Sequence, residues 1–295
     1  MKVALCLVGL VSIAHADSKA WSTGKSVING SASVVGGMSA ASVQNSGLYK
    51  QYLPLLMSQA GDMKKLLDSV QSTCKIDVLA SIDSVAFGID GNHAGTIVVA
   101  LKGTDHKAVD ACFTKLGDAE KKPIKITTDG KLSRYEGAGD QPVFMQWLAT
   151  DVVAISTAAS DKDATQKLLS SGVATNAKLK TALGTVNKGA SFWFIIDKAA
   201  IQDNSNPDVQ QIYGNAEVAN KKITITSHIA TTNAAAATAM AAKGTKKLAD
   251  AQAGASKDLQ AAIGSVSIKT SGADVVASAS LKEDDVVPIV MNLMH

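Results

Sequence analysis

Arginine is almost absent from this sequence, since Arg134 is the only one in the chain. Planar, two-pronged recognition of phosphate, carboxylate or guanine depends on the arginine guanidinium. The charges are also nearly balanced, with 29 basic and 26 acidic side chains and a formal net charge of +3. Such a balance provides no electrostatic attraction for a polyanion. We therefore expect no nucleic acid partner.

The chain also lacks the short motifs that mark common catalytic sites. No G-x-S-x-G, H-E-x-x-H, G-x-G-x-x-G or EF-hand spacing occurs. Gly24-Lys25-Ser26 ends like a phosphate-binding loop, but Lys19 stands where that motif needs its first glycine. We expect no cofactor, and these absences favour a protein that is not an enzyme.

Long apolar runs are missing as well, apart from a short one at the N-terminus. Met1-Lys2 precedes the apolar run Val3 to Ile13, which leads into Ala14-His15-Ala16. A positive charge, a short apolar core and an A-x-A site are typical of a secretory signal peptide, whereas a membrane span needs roughly 20 apolar residues. We predict a signal peptide over residues 1–16, cleavage after Ala16, no membrane span, and a periplasmic or secreted protein.

Cysteine is scarce, with three residues in the chain, and Cys6 would leave with the signal peptide. The remaining pair is Cys74 and Cys112, and an even count in an oxidising compartment favours a disulfide. Such a bond would constrain the unfolded chain by about 4 kcal/mol. The alternatives are two buried free thiols or a catalytic thiol pair, although no C-x-x-C motif supports the second.

Strand patterns recur in pairs along the chain, and most pairs lead into a helix. Turn sequences separate the strands, and Ser, Thr or Asp clusters typical of helix N-caps follow them. The predicted strand pairs are Ile82 to Ile89 with Thr96 to Leu101, Val143 to Leu148 with Val152 to Thr157, Phe192 to Ile196 with Ile223 to Ile229, and Val266 to Thr270 with Val275 to Leu281. This pattern predicts the α+β class, with antiparallel sheets that carry helices on one face.

The order of the elements also predicts a tandem duplication of a β-α-β-β-α-β-β-α unit. In this alignment the helix around Leu48 to Val70 corresponds to a second helix at Pro207 to Tyr213, and Ile124 to Glu136 forms an extra hairpin in the first unit. The continuous apolar run Phe192 to Ile196 predicts a strand that is covered on both faces. Such cover is expected if the two units share a sheet or pack together.

Domain boundaries follow from the same pattern. The Ser- and Gly-rich residues 17–30 predict a flexible leader after the signal peptide. The first α+β half spans 31–171, a linker region covers 172–188, and the second half spans 189–295.

Three segments carry a resemblance to a known group of proteins. They are SGLYKQYLPLL, CKIDVLASIDSVAFGID, and VVALKG followed by the helix that bears Cys112. With the leader, they resemble uncharacterised exported proteins of Gram-negative bacteria. The resemblance implies the compartment and the fold, and it implies no activity.

Two histidines provide the candidate metal ligands. His93 lies in a predicted hairpin loop and His106 in the first turn of a predicted helix, next to Asp105. Imidazole and carboxylate groups suit a transition metal such as zinc. We propose His93, Asp105 and His106 as a candidate metal set. The alternative is that these are solvated loop residues.

The aromatic residues provide a candidate binding surface. Trp147 and Trp193 lie on predicted strands, and Phe144 lies on the same strand as Trp147. On an open sheet face these rings would form an apolar platform for a ligand or partner. The alternative is that they fill the core.

Three hypotheses for function follow from these patterns. The leading one is a non-enzymatic exported module that binds a protein, a peptide or a small apolar ligand. The others are a metal-assisted hydrolase with a dispersed site and a structural envelope component that associates with itself.

Overall fold

The computed structural model describes residues 16–92, 94–137, 142–156, 162–170, 172–201 and 206–286. All of the predicted signal peptide except Ala16 lies outside these ranges. Within them, no helix is both long enough and apolar enough to cross a membrane.

Twelve strands form one antiparallel sheet with the order β11-β12-β10-β9-β8-β1-β2-β3-β7-β6-β5-β4. The predicted α+β class is confirmed, with one shared sheet in place of separate ones. The strands are β1 (Val34–Ser39), β2 (Ile82–Ile89), β3 (Gly95–Leu101), β4 (Lys125–Asp129), β5 (Leu132–Glu136), β6 (Val143–Ala149), β7 (Val152–Ser156), β8 (Phe192–Asp197), β9 (Val209–Ala219), β10 (Lys222–Thr231), β11 (Ser267–Ser271) and β12 (Asp274–Lys282).

Helices fill most of the connections between the strands. The α-helices are α1 (Lys19–Gly24), α2 (Ala40–Gln44), α3 (Gly47–Gln59), α4 (Gly61–Cys74), α5 (Val78–Ser81), α6 (His106–Ala119), α7 (Lys162–Leu169), α8 (Lys180–Thr185), α9 (Ala234–Gly254) and α10 (Lys257–Gly264). Short 3-10 turns cover Val173–Thr175, Ala177–Leu179 and Lys198–Ala200.

The two halves of the chain meet where β1 pairs with β8 at the centre of the sheet. Val35 lies opposite Ile195, and Gly37 lies opposite Trp193. A Cβ atom on Gly37 would lie 2.6 Å from the indole Nε1 of Trp193. Only glycine therefore lets this indole lie against β1.

Alternation along the strands divides the sheet into two apolar faces. Face 1 carries residues such as Val98, Ala100, Val152, Ala154, Trp193 and Ile195, which belong to one buried cluster. Face 2 carries the alternating neighbours, including Val99, Leu101, Val153 and Ile155, in a second cluster with Val109 and Phe113 of α6. Helices thus pack on both faces. The expectation of helices on one face fails because strands buried on both sides need cover on both sides.

Residues 17–30 are not the flexible leader that their composition predicts. They include α1, whose Trp21 is 3% exposed and packs edge-to-face against Trp193, with ring centroids 5.0 Å apart. Ala20 donates its backbone N–H to the hydroxyl of Ser84 at 3.0 Å. Ile28 is also fully buried. A few well-placed apolar residues outweigh the polar composition because face 1 must be covered.

Residues 172–188, the predicted linker region, contribute buried residues to the core. Val173, Leu179, Ala182 and Val186 are all buried in the same cluster as Trp21. The backbone N–H of Val173 also donates to the carbonyl oxygen of Ile28 at 2.8 Å. The segment between the two halves is therefore part of the layer that covers face 1.

The predicted helix at Pro207 to Tyr213 is wrong, because this stretch enters β9. Ile212 pairs with Ile196 on one side and with Ile229 on the other. The alternation Val209, Gln211, Tyr213, in which all three are buried, has the two-residue period of a strand. The predicted duplication stays a prediction.

Replacement of Trp21 by alanine tests the structural role of α1. We expect Trp21→Ala to lower the free energy of unfolding by about 3–5 kcal/mol, because it leaves a cavity against Trp193. The matched control is Ser22→Ala, next along the same helix and exposed, which should change stability by less than about 0.5 kcal/mol. Denaturant unfolding measures both. Equal stabilities of the two variants would show that residues 17–30 are dispensable.

Candidate functional site

A strongly apolar cavity lies between face 2 and the helices α4, α5 and α6. Its volume is about 460 Å³. Its lining residues are Met63, Leu66, Leu67, Val70, Ile76, Val78, Ser81, Leu101, Thr104, Val109, Cys112, Phe113, Leu116, Val143 and Met145. We call it the α4 cavity.

The chemistry of the α4 cavity is almost purely that of hydrocarbon. No charged side chain lines it, and the only hydroxyls are those of Ser81 and Thr104, which are hydrogen-bonded to each other at 3.3 Å. Met63 and Leu66 are 57% and 55% exposed, so the cavity opens to solvent beside α4. A lining of this kind can bind an apolar group and offers little to a charged one.

Helix α4 forms the outer wall of the cavity without being buried itself. None of its described residues is buried, although its apolar residues are spaced so that they share one face. A disulfide joins Cys74 at its end to Cys112 of α6, with the two Cα atoms 5.2 Å apart. The predicted disulfide is therefore confirmed, and it fastens one wall of the cavity to the next.

Beside the cavity, α6 carries a polar cluster over face 2. The ring of His106 stacks on Trp147, with centroids 4.3 Å apart, and its Nε2 lies 3.1 Å from Asp110 without hydrogen-bond geometry. Tyr135 donates its hydroxyl to Asp110 at 2.6 Å. Burial and this carboxylate raise the pKa of Tyr135 to about 12. The phenol is thus held as a neutral hydrogen-bond donor.

The structure places only two of the three predicted metal ligands. Asp105 is the N-cap of α6, where its carboxylate accepts the backbone N–H of Ala108 at 2.9 Å. His106 faces Trp147 and Asp110, as described above, and His93 lies outside the described residues. Among the residues that the structure describes, no three His, Cys, Asp or Glu side chains could hold a metal ion. The metal set stays a prediction.

The three predicted platform aromatics are buried and lie on opposite faces of the sheet. Trp193 and Phe144 belong to the cluster on face 1, and Trp147 belongs to the cluster on face 2. They therefore do not form a shared exposed platform, and they fill the core instead. The exposed aromatic ring is that of Phe192, which is 41% accessible at the start of β8. The strand predicted to be covered on both faces is thus partly open on one.

The α4 cavity was missed from the sequence, although one signal for it exists. Met63, Leu66, Leu67 and Val70 have the i, i+3, i+4, i+7 spacing of an apolar helical stripe. Such a stripe predicts that the helix packs against a core. It does not show whether the helix and the core are in close contact or enclose a cavity. The volume left under a helix depends on the residues opposite, which the helix pattern does not contain.

Comparison with known proteins shows only the fold. No protein-family model matches the chain, and no curated protein does. The chain is similar to solved structures of TP0453, a Treponema protein. Crystal form I gives a TM-score of 0.52 at 8% identity, covering 92% of this chain and 97% of that one. Crystal form III gives 0.51 at 10% identity, covering 90% and 96%. At these identities the similarity carries no function.

Removal of the disulfide tests its role in the cavity wall. We expect Cys74→Ala with Cys112→Ala to lower the free energy of unfolding by up to about 4 kcal/mol. Because none of the described residues of α4 is buried, its backbone amides should exchange with solvent much faster in this variant, while those of β2 and β3 change little. Hydrogen-exchange mass spectrometry measures both. Unchanged exchange in α4 would show that packing alone holds the helix.

The raised pKa of Tyr135 predicts a loss of stability in alkali. The unfolded phenol titrates near 10.0 and the folded one near 12, so the unfolded chain loses its proton first as the pH rises. The free energy of unfolding should therefore be unaffected below about pH 9 and fall above about pH 10. Burial also raises the pKa of Tyr213, so that Tyr135→Phe should make this fall shallower without abolishing it.

The same substitution should cost about 1.5–3 kcal/mol at neutral pH, because it removes a hydrogen bond to a carboxylate. Denaturant unfolding at a series of pH values measures both effects. An identical pH dependence in the variant and the parent would contradict the assignment.

Proposed function

We propose that the protein is a non-enzymatic exported binding module that holds a small apolar ligand in the α4 cavity. The observation that carries this proposal is a cavity of about 460 Å³ whose lining side chains are uncharged and, apart from two mutually bonded hydroxyls, apolar. Cavities of roughly 300–1,000 Å³ with apolar walls are typical of small-molecule sites.

The absence of charge in the lining narrows the ligand to a hydrocarbon chain or ring system. A charged group placed there would lose its hydration and gain no opposite charge in return. An apolar group would exchange water for contacts with Leu67, Val70 and Phe113. A ligand with a polar end would keep that end at the mouth, near the exposed Met63 and Leu66.

Export is supported by the signal-peptide pattern and by the disulfide. Bonds such as Cys74–Cys112 persist in oxidising compartments and are rare in the cytosol. A carrier or sensor of apolar molecules in an aqueous compartment needs a cavity that shields its ligand from water. The apolar walls of the α4 cavity support such a role, since they would remove most of an apolar ligand from water.

A bulky residue in the cavity wall tests the proposal. We expect Val70→Trp to weaken binding of the neutral dye Nile red by about tenfold, because the indole occupies volume that the dye needs. The matched control is Gln71→Trp, the next residue on α4, which is exposed and does not line the cavity. This variant should bind within about twofold of the parent, since its indole lies in solvent. Fluorescence titration measures both.

Mass spectrometry of the protein purified from its own host provides a second test. Organic extraction should release an apolar small molecule from the parent, and less of it from Val70→Trp. Equal dye binding by the two tryptophan variants, with no extractable ligand, would reject the proposal. Hydrolysis of esters or phosphates that depends on added zinc and on His106 would instead favour the metal-assisted hydrolase.

A further inference from the structure

A second cavity lies on face 2 in the other half of the sheet, beneath α9. Its volume is about 350 Å³. Its floor includes Ile212 of β9 and Ile229 of β10, which are directly paired across the two strands. Met240 of α9 lines it from above. We call it the α9 cavity.

The side of α9 that faces the sheet combines small residues with Met240. Ala237 is buried, and a Cβ atom on Gly244 would lie 3.2 Å from the side chain of Ile268. These small residues let α9 approach β11 closely. Met240 and Gly244 line the cavity, which lies above the isoleucines of β9 and β10.

Two lysines line the α9 cavity, whereas no charged side chain lines the α4 cavity. Lys243 and Lys247 are one helical turn apart and both contribute to the lining. Neither is ion-paired with a carboxylate of the described residues, whereas lysines such as Lys64 and Lys65 on α4 are. No described Asp or Glu lines the cavity. Within the described ranges, the site thus combines an apolar floor with two positive charges that no carboxylate neutralises.

We propose that the α9 cavity binds an anionic amphiphile, namely one hydrocarbon chain that ends in a carboxylate or sulfate. The chain would lie over Ile212 and Ile229, and the head group would accept hydrogen bonds from Lys243 and Lys247. Charge-assisted hydrogen bonds of this kind are stronger than neutral ones. The long stems of the lysines also cover apolar surface while their ammonium groups stay in water.

Neither the apolar floor nor the pair of lysines would bind a ligand tightly alone. A small anion would gain only exposed ammonium groups, and such contacts are weak in water. A neutral chain would gain the apolar floor and leave both lysines unmatched. The proposal therefore predicts that the two parts of the ligand act together, and it does not depend on the α4 cavity.

The test uses the full mature protein with the methyl groups of isoleucine labelled for NMR. Laurate should shift the Ile212 and Ile229 methyl signals in a saturable titration, and acetate at the same concentration should not. Lys243→Gln with Lys247→Gln should weaken laurate binding at these methyls by about tenfold, because the charge-assisted bonds are lost. Dodecanol, which has the same chain without the charge, should bind the parent more weakly than laurate does, and the double substitution should leave its weak binding unchanged.

Lys246→Gln is the matched control, because Lys246 lies on the same helix and does not line the cavity. It should change laurate affinity by less than about twofold, since its side chain is exposed to solvent and does not line the cavity. Thermal unfolding of all variants checks that they are folded. Equal weakening by Lys246→Gln would show a general charge effect and overturn the proposal.

Three other outcomes would also overturn it. Acetate could shift the methyls as laurate does, which would indicate a plain anion site. Laurate and dodecanol could bind the parent equally well, which would make the lysines irrelevant. Laurate could leave Ile212 and Ile229 unshifted while it perturbs the methyl signals of residues in the α4 cavity, which would place the amphiphile there.

Discussion

The antiparallel pairing of β1 with β8 is the constraint on which the rest of the structure depends. It joins two distant parts of the chain into one twelve-stranded sheet, so that each apolar face runs across both halves. Face 1 is sealed at its centre because α1 and residues 173–186 pack there around Trp21 and Trp193. Helix α1 and the segment between the two halves of the chain both cover this part of face 1.

Face 2 carries both cavities, one in each half of the sheet. In the first half, helices α2 to α5 fill the connection from β1 to β2, and α4 stands over the sheet beside α6. In the second half, the described part of the connection from β8 to β9 contains only the 3-10 turn Lys198–Ala200. The stretch Pro207 to Tyr213, where a helix was expected, instead leads into β9.

Local patterns in the sequence predicted strands and turns well. They predicted poorly which distant segments pack over the faces of the sheet. The strand Ile82 to Ile89 was predicted to the residue, because alternation and a turn sequence mark both of its ends. The disulfide followed from an even cysteine count. Residues 17–30 were misjudged because their polar composition hides a few apolar residues. In these residues and in the predicted linker region 172–188, the buried side chains pack against partners that lie far away in sequence. The α4 cavity could not be predicted for a similar reason, since its volume depends on several elements at once.

The two cavities differ in charge, and the helices that form their outer walls are attached to the rest of the protein in different ways. Helix α4 is fastened to α6 by the disulfide, and its lysines at positions 64 and 65 are ion-paired along the helix and do not line the α4 cavity. Helix α9 approaches β11 through its small residues, and Lys243 and Lys247 lie exposed at the edge of the α9 cavity. Side chains on that edge need an apolar stem and a hydrated tip, which lysine has. The same requirement that makes Lys243 and Lys247 good edge residues therefore leaves two positive charges above a hydrocarbon floor. The two proposals therefore assign an uncharged ligand to the first cavity and an anionic one to the second, on the same face of the sheet.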